Sequence, residues 1–448
     1  MSINRSLLIL CILFSAVPLP IWIPQSFPSP LGSILYAEAF GLAAVALCLG
    51  YVVQAWPSLK SVLIILVSMV SVSVVSGYLN GANFSLIFRD LRGIILGVCV
   101  CISLLFSLTY DRSRTLSTGV VAIRLIVCWS AIASLLGLVL DVQWFYGRFS
   151  SAALYGVSSF TSTDIDRQLL VSGPLCAVAV SVLIIANSLD NFSLRTIDYI
   201  VLVSGLIVLL LTFSRNNLVT VGMAVILACL VSRNKVVGLL RSVKLVACIG
   251  FISYFVVFFL GMFSEKFGTK FSQVFGAFGS RVLSGLNPDV ISEDSSALWR
   301  EFEISSAMTY LNNHLLFGAG FGSRYRMYSP VEIFKGTDGL TYIHNSFVWV
   351  LVKMGVISAI FVFSGLIFLI WRGYSARAVS GNSWSRVFSL AFVSIVPSMY
   401  IAPLPFSSRS AVVIGCLVAL ILYFSKNCDV FEQIDGNLRS FRGPTVRT

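Results

Sequence analysis

Charged side chains are scarce in this chain. They make up 11% of 448 residues, against 57% hydrophobic ones, and histidine occurs only at His314 and His344. A water-soluble domain cannot bury that share of apolar surface, because most of its exterior must be polar. The mean hydropathy of +0.92 therefore excludes a soluble fold. Nine of the ten cysteines fall in apolar runs, Cys428 lies just past the last run, and none stands between 264 and 345. That excludes a disulfide framework. Cys99 and Cys101 are two apart on a helix and point in different directions. With two histidines in all, neither a protein-held metal nor another cofactor is expected. Low-complexity linkers and internal repeats are also missing, so no second soluble domain is expected.

What the chain has is apolar runs of bilayer length, about 17–25 residues each. Twelve can be read, near 6–24, 31–53, 60–78, 91–110, 118–140, 168–187, 197–213, 216–232, 243–264, 346–371, 386–404 and 408–425. The expected fold is all-α: a polytopic integral membrane protein of about twelve transmembrane helices with one long helical loop before the tenth. The domain plan is 1–263 for helices one to nine, 264–345 for the loop, and 346–448 for the last three helices and the tail. The first run, with Arg5 ahead of it, looks like a signal-peptide core. Eleven runs follow it, so it is read as a retained helix.

Basic residues set the orientation. With the N-terminus in the cytoplasm, sixteen Lys or Arg fall on cytoplasmic segments and six (Arg89, Arg92, Arg148, Arg167, Arg215 and Arg409) on short loops opposite. Both termini are then cytoplasmic and the long loop lies on the other side. The net charge of +12 reflects this topology and not nucleic-acid binding. The loop itself is balanced, with seven Lys or Arg and eight Asp or Glu.

The loop gathers both histidines and much of the charge, so the chemistry is expected there. Phe267, Phe271, Phe275 and Phe278 share one face of a helix that lies either on the membrane surface or against the protein's own core. A second helix should start at Asp294-Ser295-Ser296, a good N-cap cluster, and run to about His314. On it Arg300, Ile304, Met308 and Leu311 share a face, which turns Arg300 inward and Glu301 and Glu303 outward. Earlier, the hairpin over 197–232 turns on Ser214-Arg215-Asn216-Asn217, its one polar interruption. The segment 142–167 forms the second-longest external loop.

Several residues could carry chemistry, each with a structural alternative. His344, at a loop–helix junction, can act as a general base near neutral pH or cap a helix. Arg215 and Arg300 offer planar forks suited to phosphate oxygens. The alternatives are an interfacial anchor for Arg215 and an ion pair with Glu303 for Arg300. Arg281, Arg324 and Arg326 are weaker candidates that suit a solvated surface. His314, at a helix end, suits capping. Glu301 and Glu303 are the alternative bases. Among intramembrane charges, Arg124 can snorkel to the cytoplasmic side. Glu38 and Lys353 sit at similar depth and are candidate partners across helices two and ten. On a continuous helix Lys353 would face away from His344.

Four short motifs in order carry a resemblance. Leu210-Leu211-Thr212-Phe213-Ser214-Arg215, Trp299-Arg300, Leu315-Leu316-Phe317-Gly318-Ala319-Gly320-Phe321-Gly322, and His344-Asn345 with Gly355 resemble motifs of the O-antigen ligase and O-antigen polymerase superfamily. These motifs cover about 197–358, and twelve spans with one long loop fit the same family. The resemblance implies a lipid-diphosphate glycosyltransferase of the GT-C type in the bacterial inner membrane. It would take an undecaprenyl-diphosphate-linked glycan on the periplasmic face. His344 would be the base, Arg215 and Arg300 would hold the diphosphate, and Arg281 would be a substitute. The reaction would invert the anomeric carbon without a metal. The acceptor would be a growing glycan (polymerase) or lipid A–core (ligase), with a chain-length regulator as a conceivable partner. Many ligases continue after the motif glycine with Gly-Thr-Gly, whereas Val356-Ile357-Ser358-Ala359 follows here, which favours a polymerase. The rival class, a transporter or flippase, predicts repeated halves and broken helices meeting at the midplane.

Overall fold

A computed structural model describes residues 56–140, 172–189, 194–212, 214–232, 295–326, 341–376, 383–402 and 404–426, with short helical pieces at 52–54 and between 244 and 259. All longer elements among the described residues are helices: α1 (Pro57–Leu79), α2 (Phe84–Tyr110), α3 (Arg112–Leu140), α4 (Gly173–Ser188), α5 (Thr196–Thr212), α6 (Arg215–Val231), α7 (Ser295–Leu311), α8 (Ser346–Ser375), α9 (Ser383–Ile401) and α10 (Ser408–Lys426), with a 3-10 turn at Leu404–Phe406. No strand occurs among these residues. Five helices, α1, α2, α3, α8 and α9, are long and apolar enough to cross a membrane, and α4, α5, α6 and α10 are shorter apolar helices. Each of these nine overlaps a run expected from sequence. The remaining runs, the 142–167 loop, the Phe267–Phe278 helix, Arg281 and Glu38 lie outside the described residues, apart from a few helical positions.

Apolar helices in lipid gain little from desolvation when they meet, so they rely on close packing. The crossing of α2 and α10 shows this: a Cβ on Gly415 would stand 2.3 Å from the carbonyl oxygen of Gly97. Larger side chains such as Ile184, Leu202, Phe392 and Ile421 fill the space between α4, α5, α9 and α10. Arg124 bonds Asp198 at 2.5 Å, tying α3 to α5.

Two expected boundaries change. The second described helix begins at Phe84 and not near 91, because Asn83 caps it by accepting from the Ser85 amide at 3.2 Å. Arg89, Asp90 and Arg92 therefore ride on α2 instead of lying in an external loop. The run from 346 is not one continuous helix either. Gly355 breaks it, at φ 78° and ψ 172°.

The segment 318–322 fits into that break. Gly318, Gly320 and Gly322 all have positive φ (73°, 85° and 73°), a conformation that favours glycine. Each also faces a different helix at a separation that leaves no room for a side chain. A Cβ would lie 2.5 Å from the Gly355 nitrogen of α8, 1.9 Å from the Gly77 nitrogen of α1, and 2.8 Å from the Ile87 nitrogen of α2, respectively. Between them, Ala319 and Phe321 point into the core. The Ala319 amide donates to Val352 O at 2.7 Å and the Phe321 amide to Ser73 O at 3.0 Å. Amides freed by the break are used again: Val356 N donates to Leu315 O at 2.9 Å and Ile357 N to Leu316 O at 3.4 Å.

Lys353, fully buried, locks the arrangement. Its Nζ stands 3.0 Å from Asp90 Oδ2 and donates to Ser323 O at 2.9 Å. Asp90 in turn accepts from the Gly322 amide at 2.7 Å. The partner of Lys353 is thus Asp90 on α2. Glu38, the expected partner, lies outside the described residues.

Candidate active site

The end of the long loop is fixed from both sides. Asn345 is the N-cap of α8 and its side chain accepts from the amides of Phe347 (2.9 Å) and Val348 (3.1 Å), the geometry for which asparagine is favoured at helix starts. His344 therefore sits one residue outside the helix, with its main chain set by the cap. Ser346 donates to Ala402 O at 2.8 Å, joining the start of α8 to the end of α9. On α9, Ser398 donates to Asn216 O at 2.7 Å, and its Oγ is 2.7 Å from Thr220 Oγ. The first turn of α6, which begins at Arg215, thus lies beside the last turns of α9.

Helix α7 closes the other side. It runs over Ser295–Leu311, close to expectation, but its inward face is different. Glu303, Ala307 and Leu311 are buried, spaced one turn apart, whereas Met308 is exposed. The expectation that Glu303 faces outward is overturned. The stripe headed by Arg300 is not the buried face, because the carboxylate of Glu303 is itself a core group. The i, i+4, i+8 spacing of Glu303, Ala307 and Leu311 was the available signal.

Glu303, 2% exposed, is the hub. Its Oε2 accepts from His344 Nδ1 at 2.7 Å and from the His344 backbone amide at 3.2 Å. Its Oε1 accepts from Arg326 at 3.4 Å. Arg326 is therefore an interior ion-pair partner and not a solvated arginine, whereas Arg324 is exposed as expected. Glu303 thus pairs with Arg326 and His344, and Arg300 lines the same cleft. A buried carboxylate needs such donors, since an unpaired charge there would cost several kcal/mol. Tyr342 meets the His344 ring edge-on at 4.8 Å, and Tyr325 donates to Tyr342 O at 2.7 Å. Burial, reinforced by the negative Glu303, pushes the Tyr325 hydroxyl well above the usual phenol range, so it remains a donor.

An ionised carboxylate only accepts hydrogen bonds. Paired with Glu303, the His344 Nδ1 carries the proton, and Nε2 is left as the basic nitrogen. The side chain is 33% exposed and borders an open cleft of about 380 Å³. Arg300, Glu301 and Ile304 of α7 line one wall, and Tyr400 and Ile401 of α9 line the other. The cleft thus joins a base, an arginine and a broad opening. Arg215, at the start of α6, is brought to the α9 side of this region by its backbone. Arg281 lies outside the described residues. His314 keeps to a helix end, with Nδ1 3.2 Å from Tyr310 O and its ring stacked on Tyr310. Among the described residues no group of three or more His, Cys, Asp or Glu could hold a metal ion.

No curated protein matches the chain. A family comparison does: residues 200–363, which carry all four motifs and every element that borders the cleft except the end of α9, match the model of the O-antigen ligase family. Over residues 200–363 the chain is thus similar to the O-antigen ligase family, which supports its likeness to the O-antigen ligase and polymerase superfamily.

Proposed function

We propose that the protein transfers an undecaprenyl-diphosphate-linked oligosaccharide to a sugar hydroxyl on the periplasmic face, polymerising O-antigen or exopolysaccharide repeat units. In this reading the chain crosses the bacterial inner membrane about twelve times, with cytoplasmic termini and with 264–345 as the periplasmic loop. The observation that carries it is the His344–Glu303 pair at the edge of a cleft shared with Arg300.

The acceptor hydroxyl gives its proton to His344 Nε2 as its oxygen attacks the anomeric carbon. Glu303 holds the tautomer and balances the imidazolium that forms. The bond from anomeric carbon to phosphate breaks on the opposite side, so the centre inverts and the lipid diphosphate leaves. Arg215 and Arg300, with Arg281 as a third candidate, hold that diphosphate. Fixed guanidinium groups stabilise the developing charge without reorganising, so the scheme calls on no metal. General-base catalysis of this type contributes about 10²- to 10⁴-fold.

The second reading is a ligase that passes the finished glycan to lipid A–core. The matched family's description, O-antigen ligase, favours it. The sequence after Gly355, Val356-Ile357-Ser358-Ala359 in place of Gly-Thr-Gly, favours polymerase. A transporter finds less support. Among the described residues the broken helix, α8, is filled at its break by the glycine segment.

The test is the surface glycan of a deletion strain complemented with wild type, His344→Ala or Arg215→Ala. A single repeat on lipid A–core in the deletion strain identifies a polymerase. Bare core with long chains left on the carrier lipid identifies a ligase. A wild-type ladder from His344→Ala at normal expression removes His344 as the base.

A further inference from the structure

Leu315, Leu316 and Phe317 form an apolar tip that points away from the protein, with exposures of 51%, 56% and 56%. In an aqueous loop such a run is anomalous. Two independent observations place it elsewhere.

The first is depth. The carbonyl oxygens of Leu315 and Leu316 bond to the amides of Val356 and Ile357, the first residues of α8 after its break. From there α8 continues as an apolar helix to Ser375 and ends among Trp371, Arg372 and Tyr374, residue types that favour the membrane–water boundary. Val356 and Trp371 are separated by about 22 Å of helix, less than the ~30 Å of a hydrocarbon core. The tip is therefore level with hydrocarbon and not with the water outside. Ile357, Ile360 and Phe361 of α8, also exposed, extend the same apolar surface downwards.

The second is the backbone. A chain in lipid has no water for its polar groups and must satisfy them within the protein. Several carbonyls at and around the tip are paired in this way. His314 O accepts from Gly318 N at 2.9 Å, and Leu315 O and Leu316 O accept from α8. Gly318 O accepts from Ser76 and Ala319 O from Asn80.

We infer that residues 315–317 form a re-entrant tip immersed among the phospholipid acyl chains of the leaflet on the His344 side, so that the catalytic loop is seated in the bilayer and not merely suspended beside it. The inference does not depend on which transfer reaction the cleft performs.

The test places the photo-crosslinking residue p-benzoylphenylalanine at position 317, and separately at 316, in the full-length protein in its native membrane. Position 360 on α8 serves as the lipid-facing reference and Asn312, exposed and polar at the end of α7, as the aqueous one. After irradiation, purified protein is analysed by mass spectrometry. Phospholipid adducts at 317 or 316 at a yield near that of 360, and at least fivefold above that of 312, are the expected result. Adducts to other segments of this chain, to an undecaprenyl lipid, or to none at both tip positions while 360 reacts would overturn the inference. The readout is covalent mass and not glycan transfer, so its failure leaves the reading of the cleft untouched.

Discussion

Glu303 meets His344 twice through one oxygen: Oε2 accepts both the ring Nδ1 at 2.7 Å and the backbone amide at 3.2 Å. Both donors belong to one residue, so the orientation of the ring and the path of the main chain are set together. Glu303→Gln keeps an acceptor but removes the charge that balances the imidazolium. Transfer should fall by more than tenfold, towards the ~10⁴-fold loss seen where a carboxylate fixes a catalytic histidine's tautomer. His344→Ala should lose about 10²- to 10⁴-fold. Turnover of lipid-linked donor by purified, equally folded proteins checks both. Wild-type turnover in Glu303→Gln would remove Glu303 from the mechanism.

The arginines should behave as fork donors and not as generic positive charge. Hydrogen bonds to charged groups contribute about 1.5–3 kcal/mol each. Arg215→Ala and Arg300→Ala should therefore each reduce transfer by roughly 10- to 150-fold, and lysine should restore little, because a single ammonium cannot reproduce a two-point grip. Steady-state kinetics with varied donor will show it. Full activity in Arg300→Ala beside a large loss in Arg281→Ala would assign the second clamp to Arg281.

Glycine substitutions separate fold from chemistry. Gly320→Ala places a Cβ 1.9 Å from Gly77 N, and Gly355→Ala places one 2.2 Å from Leu316 O, each at positive φ. The backbone conformation alone costs about 1–3 kcal/mol, and the collisions add to it. Both variants should lose thermal stability in detergent and fall in abundance. Gly365→Ala, with nothing within 4 Å of its Cβ, should match wild type. Equal melting of all three would contradict the close packing of the glycine segment.

The Lys353–Asp90 pair predicts strong coupling. Removing either partner strands a buried charge, a loss of about 3–5 kcal/mol. Lys353→Met and Asp90→Asn should each destabilise, while the double variant should be less destabilised than the sum of the two. A double-mutant cycle on thermal unfolding measures this. Simple additivity would show that the two side chains do not support each other.

Much of this arrangement could be read from residue order. The apolar runs gave nine of the described helices, because lipid demands long apolar segments whatever their neighbours. His344-Asn345 and the glycine triplet were legible as local signals: a cap, and a segment that requires left-handed backbone. Glu303 and Arg326 were misplaced, and Asp90 was not singled out, for a shared reason. Each is a charge whose burial is made tolerable by a partner distant in sequence, so hydropathy assigns it to the outside. The break at Gly355 was hidden because the side chains around it stay apolar while only the backbone changes. Partners from another element make that change affordable, and they cannot be seen in the run itself.

The interruption at Gly355 also has a mechanical meaning. Below it, α8 must follow the bilayer and tilt as local thickness changes. Above it, one short helical segment carries His344 and must stay in register with Glu303. Because Val356 and Ile357 are tied to the 315–316 backbone, and that segment is braced on α1 and α2, the lower shaft is anchored to the helical scaffold at the break itself. In the proposed reaction that anchorage, and not the shaft below, would set the aim of His344 towards its substrate.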